Sequence, residues 1–382
     1  MVRDPRYLLA SPLRSTRLTS QLGVALGVAI GVCFVTGYLS HAIQHPPWWF
    51  SWPSRPVSLY RVTQGLHVAT GLAAVPLLAA KLWSVYPRLF VWPPVRGVAH
   101  GLERLSIAVL VSATLFQLVT GVLNISLWYA PMPFFFTAAH YWTAWLVVGA
   151  VLLHLAVKLP VVRAGLARPG PETSHETSHE TVHEGLTRRG LLATVGAAVA
   201  AVTVATAGQT VPGLRRVSVL APRDPKLGPQ GLPVNATAAA ARVSRVDGSY
   251  RLTVVGPHRT VELTLADLAA MPQHTASLPI TCVEGWSADA TWSGVRISDL
   301  MATVGGDPDA EVLVESLQTG GRYRASVLDA AHARDPLTLL ALRLHGEPLH
   351  LDHGYPCRLI APNRPGVLQT KWVGRLTVGG AR

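Results

Sequence analysis

Four apolar runs, at roughly 18–39, 58–83, 103–127 and 139–161, are each long enough to cross a bilayer, which takes about 20 residues of helix. A fifth, 190–208, is shorter and built mostly of Ala, Val, Gly and Thr. Nothing else in the chain narrows its fold as much. In hydrocarbon every backbone polar group must be bonded within its own segment, so such runs predict helices packed on one another. Charge is scarce to match: 14% of the 382 residues are Asp, Glu, Lys or Arg, against about 25% in soluble domains. The formal charge of +12 does not read as a nucleic-acid surface. Much of the Lys and Arg lies in short segments beside the apolar runs, and no dense basic stretch interleaves with aromatics. No nucleic-acid partner is expected.

The flanks set an orientation. Arg3, Arg6, Arg14 and Arg17 precede the first run, Lys81, Arg88, Arg96 and Arg104 surround the second connection, and Lys158, Arg163, Arg168, Arg188 and Arg189 lie between the fourth and fifth. The stretch 124–140 has neither Lys nor Arg. The positive-inside rule then places the N-terminus in the cytoplasm of a cell membrane and everything after about residue 210 outside. Trp48-Trp49-Phe50, Trp52, Trp128-Tyr129 and Phe134-Phe135-Phe136 fall in the outward connections, as an aromatic belt against membrane lipid would. From 241 the pattern changes to short strands, at 250–255, 260–263, 277–282 and 311–316, with short helices at 267–271 and 298–304. The fold class expected is an α-helical membrane bundle of four helices plus a fifth, followed by an α+β domain. The division is 1–165 for the four-helix bundle, 166–187 for a linker, 188–208 for the fifth helix, 209–240 for a second linker and 241–382 for the extracytoplasmic domain.

The linker 166–187 contains Glu-Thr-Ser-His-Glu-Thr-Ser-His-Glu-Thr-Val-His-Glu, two overlapping copies of a His-Glu-x-x-His pattern through His175, His179 and His183. A zinc protease needs that pattern on a helix held in a core, with a third ligand and a shaped cleft. Here Pro169-Gly170-Pro171 precedes the repeat, Gly185 follows it, and no domain surrounds it. It reads as a spacer.

Ionisable residues inside membrane runs are functional candidates by default. His67 lies in the second run, His140 opens the fourth, and His154 follows 14 residues later, on nearly the same helix face and about 21 Å farther along. Neutral imidazole is a common axial ligand of haem iron; the plain alternative is a hydrogen bond to a neighbouring helix. His67 and His140 share the outer half. His154 lies in the inner half, where His100 is the nearest choice of partner, while His41 and His45 compete for the outer site. The stretch Gly65-Leu66-His67-Val68-Ala69-Thr70-Gly71, continuing to Lys81-Leu82-Trp83, and the paired histidines of the fourth run resemble the b cytochromes of the hydrogenase and formate dehydrogenase type, which are cytochrome b561-like. The resemblance covers about residues 15–165. It implies b-type haem, one at His67 and His140 with a second raised by His154 and His100, and quinone or quinol as redox partner.

The three cysteines are Cys33, Cys282 and Cys357, with no Cys-x-x-Cys. Cys33 lies in an apolar run and reads as a small buried hydrophobe. Cys282 ends a predicted strand before a Gly-containing turn, where its thiolate would serve as nucleophile or soft metal ligand, or pair with Cys357 in a disulfide. Residue types leave those alternatives open. The segment Cys282-Val-Glu-Gly-Trp286-Ser, with Trp292-Ser-Gly-Val after it, resembles the metal-ligand segment of the sulfite-oxidase-type molybdopterin family. Gly346-Glu-Pro-Leu and His353-Gly-Tyr-Pro-Cys357-Arg358-Leu-Ile-Ala-Pro362 resemble its pterin-binding stretch, and Gly366 with Lys371-Trp372-Val373 its closing segment. The resemblance covers about 240–380. It implies Cys282 as molybdenum ligand, with two further sulfurs from the pterin dithiolene. His353, Arg358, Gly366 and Lys371 are then the cofactor-binding positions, the three basic side chains holding the anionic end. Arginines that follow the ligand cysteine in sulfite oxidases are replaced here by Val-Glu-Gly-Trp, wording closer to the bacterial periplasmic methionine-sulfoxide-reductase branch. Thr187-Arg188-Arg189-Gly190-Leu191-Leu192 resembles a twin-arginine export signal; a retained fifth helix is expected.

The expectation is a membrane-anchored molybdopterin-dependent oxidoreductase. It would exchange electrons with quinone through b haem and catalyse two-electron oxo transfer on a small substrate, with S-oxide or N-oxide reduction preferred. The alternatives are a sulfite-type dehydrogenase and a binding or assembly protein that keeps the fold without the metal.

Overall fold

The computed structural model of the chain describes residues 11, 13–89, 95–167, 187–221, 223–224, 227–243 and 248–379. The repeat bearing His175, His179 and His183 lies outside them. The chain divides into two compact units: Met1–Tyr38, Leu66–Gly208 and Val217–Pro222 form one, and Leu39–Gly65, Gln209–Arg216 and Arg223–Arg382 the other. The connection between the first two long helices therefore belongs with the C-terminal unit.

The first unit is helical. Its helices are α1 (Thr16–Gln44, of which residues beyond Tyr38 join the other unit), α2 (Leu59–Leu89, entering at Leu66), α3 (Val98–Ile125), α4 (Phe136–Ala167) and α5 (Arg188–Ala207). These five are long and apolar enough to cross a membrane. Their faces explain the packing. Leu26 and Ala29 of α1 bury against Ala74 and Leu78 of α2, while Leu18 and Leu22 bury against Val195 of α5. Other faces leave Val28, Leu152 and Leu153 more than half exposed, an outward apolar surface that suits lipid better than water. Thr187 caps α5, its hydroxyl accepting from Gly190 N at 3.0 Å. Pro76, Pro87 and Pro160 sit within α2 and α4, which helices in a bundle tolerate.

The second unit holds two sheets. One runs β2 (Thr260–Thr264), β1 (Arg251–Val255), β10 (Val373–Val378), β5 (Val312–Ser316), β6 (Ala325–Leu328), antiparallel except for the β1–β10 pair. The other runs β3 (His274–Thr281), β4 (Ser287–Arg296), β7 (Leu339–Leu344), β8 (Glu347–Pro348), with β9 (Arg358–Ile360) also on β7. Short helices α6 (Leu265–Ala270), α7 (Ile297–Thr303) and α8 (Ala330–Ala333) connect them. Thr264 starts α6 with a reciprocal capping box to Asp267. One core gathers Leu252, Val254, Leu268, Leu300, Val314 and Leu376 under the first sheet. A second collects the inward residues Leu278, Ile280, Ala288, Ala290 and Trp292 of β3 and β4, where alternation of burial follows the pleat. Trp292 is fully buried; removing about 150–250 Å² of such a side chain from water is worth about 4–6 kcal/mol.

Candidate functional site

Cys282 stands at the tip of the β3–β4 hairpin. The pairing runs from His274 opposite Gly294 to Thr281 opposite Ser287, so residues 282–286 form the connecting turn. Cys282 N donates to Trp286 O at 2.9 Å and Gly285 N donates to Cys282 O at 3.1 Å, closing the turn on itself. The thiol is buried, at 2% exposure. Asn235 Nδ2 donates to its sulfur, and Trp286 Nε1 donates to Asn235 Oδ1 (3.2 Å) and Glu284 Oε2 (3.3 Å). Burial, then the charge of Glu284, push the Cys282 thiol up from its ordinary range. Burial likewise raises Glu284, partly offset by Arg223 at 3.6 Å. A neutral thiol this well enclosed is a poor free nucleophile and becomes a thiolate when a metal takes its sulfur.

Cys282 lines a cleft whose walls include Asn235, Tyr323, Arg358, Gly366 and Lys371. Arg358 is buried (1% exposed). It donates to His353 O (3.1 Å) and Gln369 O (3.3 Å), lies 5.1 Å over the Trp292 ring, and leaves Nε without a partner. Lys371 Nζ donates to Asp352 O at 2.7 Å and Ala236 O at 2.9 Å. Among the described residues neither cation forms an ion pair with a carboxylate. Burial brings Arg358 down to about 9, and burial with the Arg358 charge brings Lys371 down to about 7. Burial holds His353 at about 4; it is neutral near pH 7, its Nε2–H donating to Pro229 O at 2.7 Å. Gly354 permits this clustering. It adopts φ +109°, and a Cβ there would lie 3.0 Å from Arg358 Cβ and 3.1 Å from Lys371 Cβ. Gly366 opens a single 3₁₀ turn, Gly366–Leu368, after Pro365 pairs with Thr281.

These residues fit a molybdopterin cofactor. Two buried basic groups whose hydrogen bonds go to backbone carbonyls and which form no ion pair among the described residues suit a polyanion that would offset their desolvation. Arg358 Nε is a donor without an acceptor, and Cys282 supplies a soft sulfur in the same cleft. The disulfide alternative is not formed: Cys282 and Cys357 are free thiols in different cores. Cys357 is packed beside Tyr250, whose hydroxyl lies 3.0 Å from its sulfur, and burial raises that thiol to about 12.

Asn235, Glu284, Trp286 and Tyr323 were not singled out from the sequence as site residues. Asn235 lies in an arm whose Pro, Gly and Ala content reads as linker. Glu284 was visible in the motif as a departure from arginine. Tyr323 had one local signal, the Gly320-Gly321 turn beside it.

In the first unit the structure brings His67 and His140 together, their ring centroids 6.4 Å apart and their planes at 78°. His67 Nδ1 donates to Cys33 O at 2.8 Å, and His140 Nδ1 lies 3.2 Å from Thr120 Oγ1. Nε2 of each ring has no hydrogen-bond partner among the described residues. That is the arrangement expected of metal-ligating imidazoles, in which the second nitrogen is held by a carbonyl or hydroxyl. With metal–nitrogen bonds of about 2 Å, two imidazoles on one metal place their centroids about 6 Å apart. Gly37 lies against His67, where a Cβ would come within 2.7 Å of Cε1. His154 and His100 are not brought into ring contact with each other or with any histidine among the described residues. His154 lies near the ion pair of Lys158 with Glu103, and His100 Nδ1 accepts from Arg96 N at 3.2 Å. His41 and His45 pack on one another at 4.8 Å.

Residues 239–381 match the family described as oxidoreductase molybdopterin binding domain. Mouse mitochondrial sulfite oxidase is 33% identical over 159 residues, 34% of this chain and 29% of that protein. A putative protein-methionine-sulfoxide reductase subunit, YedZ1 of Azospira oryzae, is 35% identical over 148 residues, 38% of this chain and 55% of that protein. NADH nitrate reductase of Ulva prolifera is 29% identical over 170 residues, 34% of this chain and 19% of that protein. The chain thus spans less than a third of the sulfite oxidase and about half of the Azospira protein. Its second unit carries an oxidoreductase molybdopterin-binding domain of the sulfite-oxidase type.

Proposed function

We propose that the chain is a membrane-anchored molybdopterin-dependent oxidoreductase that exchanges electrons with quinol through b haem and reduces a small S-oxide or N-oxide. The observation that carries the reading is Cys282, presented by a hairpin tip to the cleft that also holds the buried cations Arg358 and Lys371. Molybdenum held there would supply two-electron oxo transfer, and b haem held by His67 and His140 would supply one-electron carriage. Arg358 and Lys371 would seat the pterin's anionic end, with the neutral His353 packed beside them and its one N–H given to Pro229 O; Cys282 would ligate the metal. For an S-oxide, two electrons and two protons convert R₂SO to R₂S and water, the electrons coming from oxidation of one quinol to quinone. The Tyr323 hydroxyl and the Lys371 ammonium are proton-bearing groups of the cleft wall, and Glu284, whose carboxyl burial keeps protonated to higher pH, lies two residues from Cys282 in the same turn. The five apolar helices support a membrane location, with the N-terminus in the cytoplasm and the molybdopterin domain outside.

The printed name of the Azospira relative favours sulfoxide reduction. The identity with mouse sulfite oxidase keeps oxidation of a small sulfur oxyanion as the second reading. Metal analysis and dye-linked turnover of the wild type and Cys282→Ser test the assignment. Molybdenum near one per wild-type chain, with turnover lost in the variant, is expected. Negligible molybdenum in the wild type would leave a binding or assembly protein. Reoxidation of dithionite-reduced haem by sulfoxides, N-oxides or neither then separates the two directions.

A further inference from the structure

The cofactor unit is not confined to the C-terminal half of the chain, because the connection between α1 and α2 is bonded into it at four places. Asn363 provides the first grip. Its backbone oxygen accepts from Trp52 Nε1 at 2.9 Å, its Nδ2 donates to Pro53 O at 2.6 Å, and its Oδ1 accepts from Tyr60 N at 2.6 Å. The last bond satisfies an amide in the first turn of α2, one of the donors a helix leaves open. Asn363 holds φ +54° to do so. Arg55 forms a two-toothed pair with Asp335 at 2.9 and 3.0 Å, the carboxylate side chain being 5% exposed. Arg61 reaches Asp289 of β4 at 2.8 and 3.3 Å. Gln64 Nε2 donates to Val283 O at 2.8 Å. Val57 packs on the same apolar cluster as Cys282 and Val283.

Two of these anchors adjoin residues that line the cleft. Gln64 holds the carbonyl next to Cys282, within the turn that presents the thiol. Asn363 lies between β9 and the Gly366 turn, in the stretch that pairs with Thr281 through Pro365. Exposed ion pairs contribute little individually, about 0–1 kcal/mol. The bonds through Asn363 and Gln64 are different: they join backbone groups on one side to side chains on the other, and leaving such buried groups unpaired costs about 1–3 kcal/mol each.

We propose that Trp52–Gln64 is a strap that completes the cofactor site, with Gln64 the positioning residue for the Cys282 turn and Asn363 the residue that fastens the strap. The inference rests on the molybdopterin reading only for its spectroscopic arm. The turn at 282–286 closes on its own backbone through Cys282, Gly285 and Trp286 but leaves the Val283 carbonyl to Gln64, so the strap bears on how narrowly the sulfur is held. Groups that hold a metal ligand in place orient it and tune the metal it would bind, so loss of the strap would be read in the metal's spectrum as well as in the backbone.

The test uses the full-length protein in detergent, comparing wild type with Gln64→Leu, Asn363→Gly, Arg61→Asp, and Arg61→Asp combined with Asp289→Arg. Asn363→Gly keeps the left-handed backbone conformation and deletes only the side-chain grips. Amide hydrogen exchange is read over 282–286 and 361–366, with β1 and β10 as the internal reference for folding. The expected result is at least tenfold faster exchange over 282–286 in Gln64→Leu, and over both stretches in Asn363→Gly, with β1 and β10 unchanged. The Mo(V) paramagnetic resonance spectrum shifts in the same variants, and the Arg61→Asp effect is reversed by Asp289→Arg. Unchanged exchange and an unchanged spectrum in both Gln64→Leu and Asn363→Gly would overturn the proposal. If either variant loses the β1 and β10 reference, the exposed Arg61–Asp289 swap decides, and failure of the swap to restore exchange counts against the strap. A wild type without molybdenum refutes the cofactor reading while the exchange arm still reports on the strap.

Discussion

The rings of His67 and His140 lie 6.4 Å apart, each with Nδ1 engaged by its own neighbour, Cys33 O for one and Thr120 Oγ1 for the other. On the haem reading proposed above, the two remaining nitrogens would ligate one iron. The expected outcome is that His67→Ala and His140→Ala each abolish b-type haem absorbance, while His154→Ala retains most of it. Thr120→Val, which deletes only the second-nitrogen partner, keeps haem bound more weakly, by about 10–100-fold on general experience with such partners. Visible spectra of the purified variants check this; unchanged spectra in both alanine variants at 67 and 140 reject the ligand pair.

Lys371 gives the cofactor-free protein a pH dependence with a definite sign. Its ammonium titrates near 7 in the folded state and near ~10.4 in the unfolded chain. Between those values the unfolded state binds more protons, so stability rises with pH, is fully present above the unfolded value, and is lost as pH falls towards 7. The slope approaches about 1.4 kcal/mol per pH unit for one proton. Urea denaturation of the apo form between pH 7 and 8 is the measurement, a range below the Arg358 value of about 9 and below the ~8.5 of an unfolded thiol, so that Arg358, Cys282 and Cys357 contribute little to the slope. Lys371→Met is expected to flatten the slope; an equally steep variant would assign it to another group.

The part of this architecture carried by local pattern was readable in advance, and the part carried by single long-range bonds was not. The five helices follow from runs of apolar residues that hydrocarbon or a packed bundle selects, and α2 extends past its expected end only by continuing to Leu89. Cys282 was placed at a strand end before a Gly turn, and β3 does end at Thr281 with the turn beyond it. The grip of Asn363 on Tyr60 joins residues 303 apart through one side-chain oxygen. Such a bond leaves no periodicity and no composition shift, so the 39–65 connection read as an interfacial loop. Asn235 was invisible for a related reason: an irregular arm wrapped on a domain has the same Pro, Gly and Ala content as a tether.

Gly354 should be the least replaceable glycine of the cleft. Alanine there must adopt φ +109° and push its Cβ to within 3.0–3.1 Å of Arg358 and Lys371. The strained backbone costs about 1–3 kcal/mol, and relief comes only by moving the two cations apart. Gly354→Ala is expected to lower the thermal midpoint and to lose molybdenum on gel filtration, whereas Gly346→Ala, with open space around its Cβ, affects stability without loss of metal. Molybdenum per chain in the two variants distinguishes a local cofactor effect from general destabilisation.

Tyr250 and Cys357 test which of two buried groups holds the end of β10. The Tyr250 hydroxyl donates to Val373 O at 2.7 Å, while the Cys357 thiol reaches the same oxygen only at 3.5 Å. Tyr250→Phe removes the shorter bond and strands a buried carbonyl, so a loss of about 1–3 kcal/mol is expected. Cys357→Val keeps that bond and exchanges a small buried sulfur for a similar apolar volume, a change that should cost less than about 1.5 kcal/mol. Denaturant midpoints of the two variants give the comparison. If Cys357→Val proves the more damaging, the thiol rather than the phenol is the partner that matters, and the apolar reading of Cys357 fails with it.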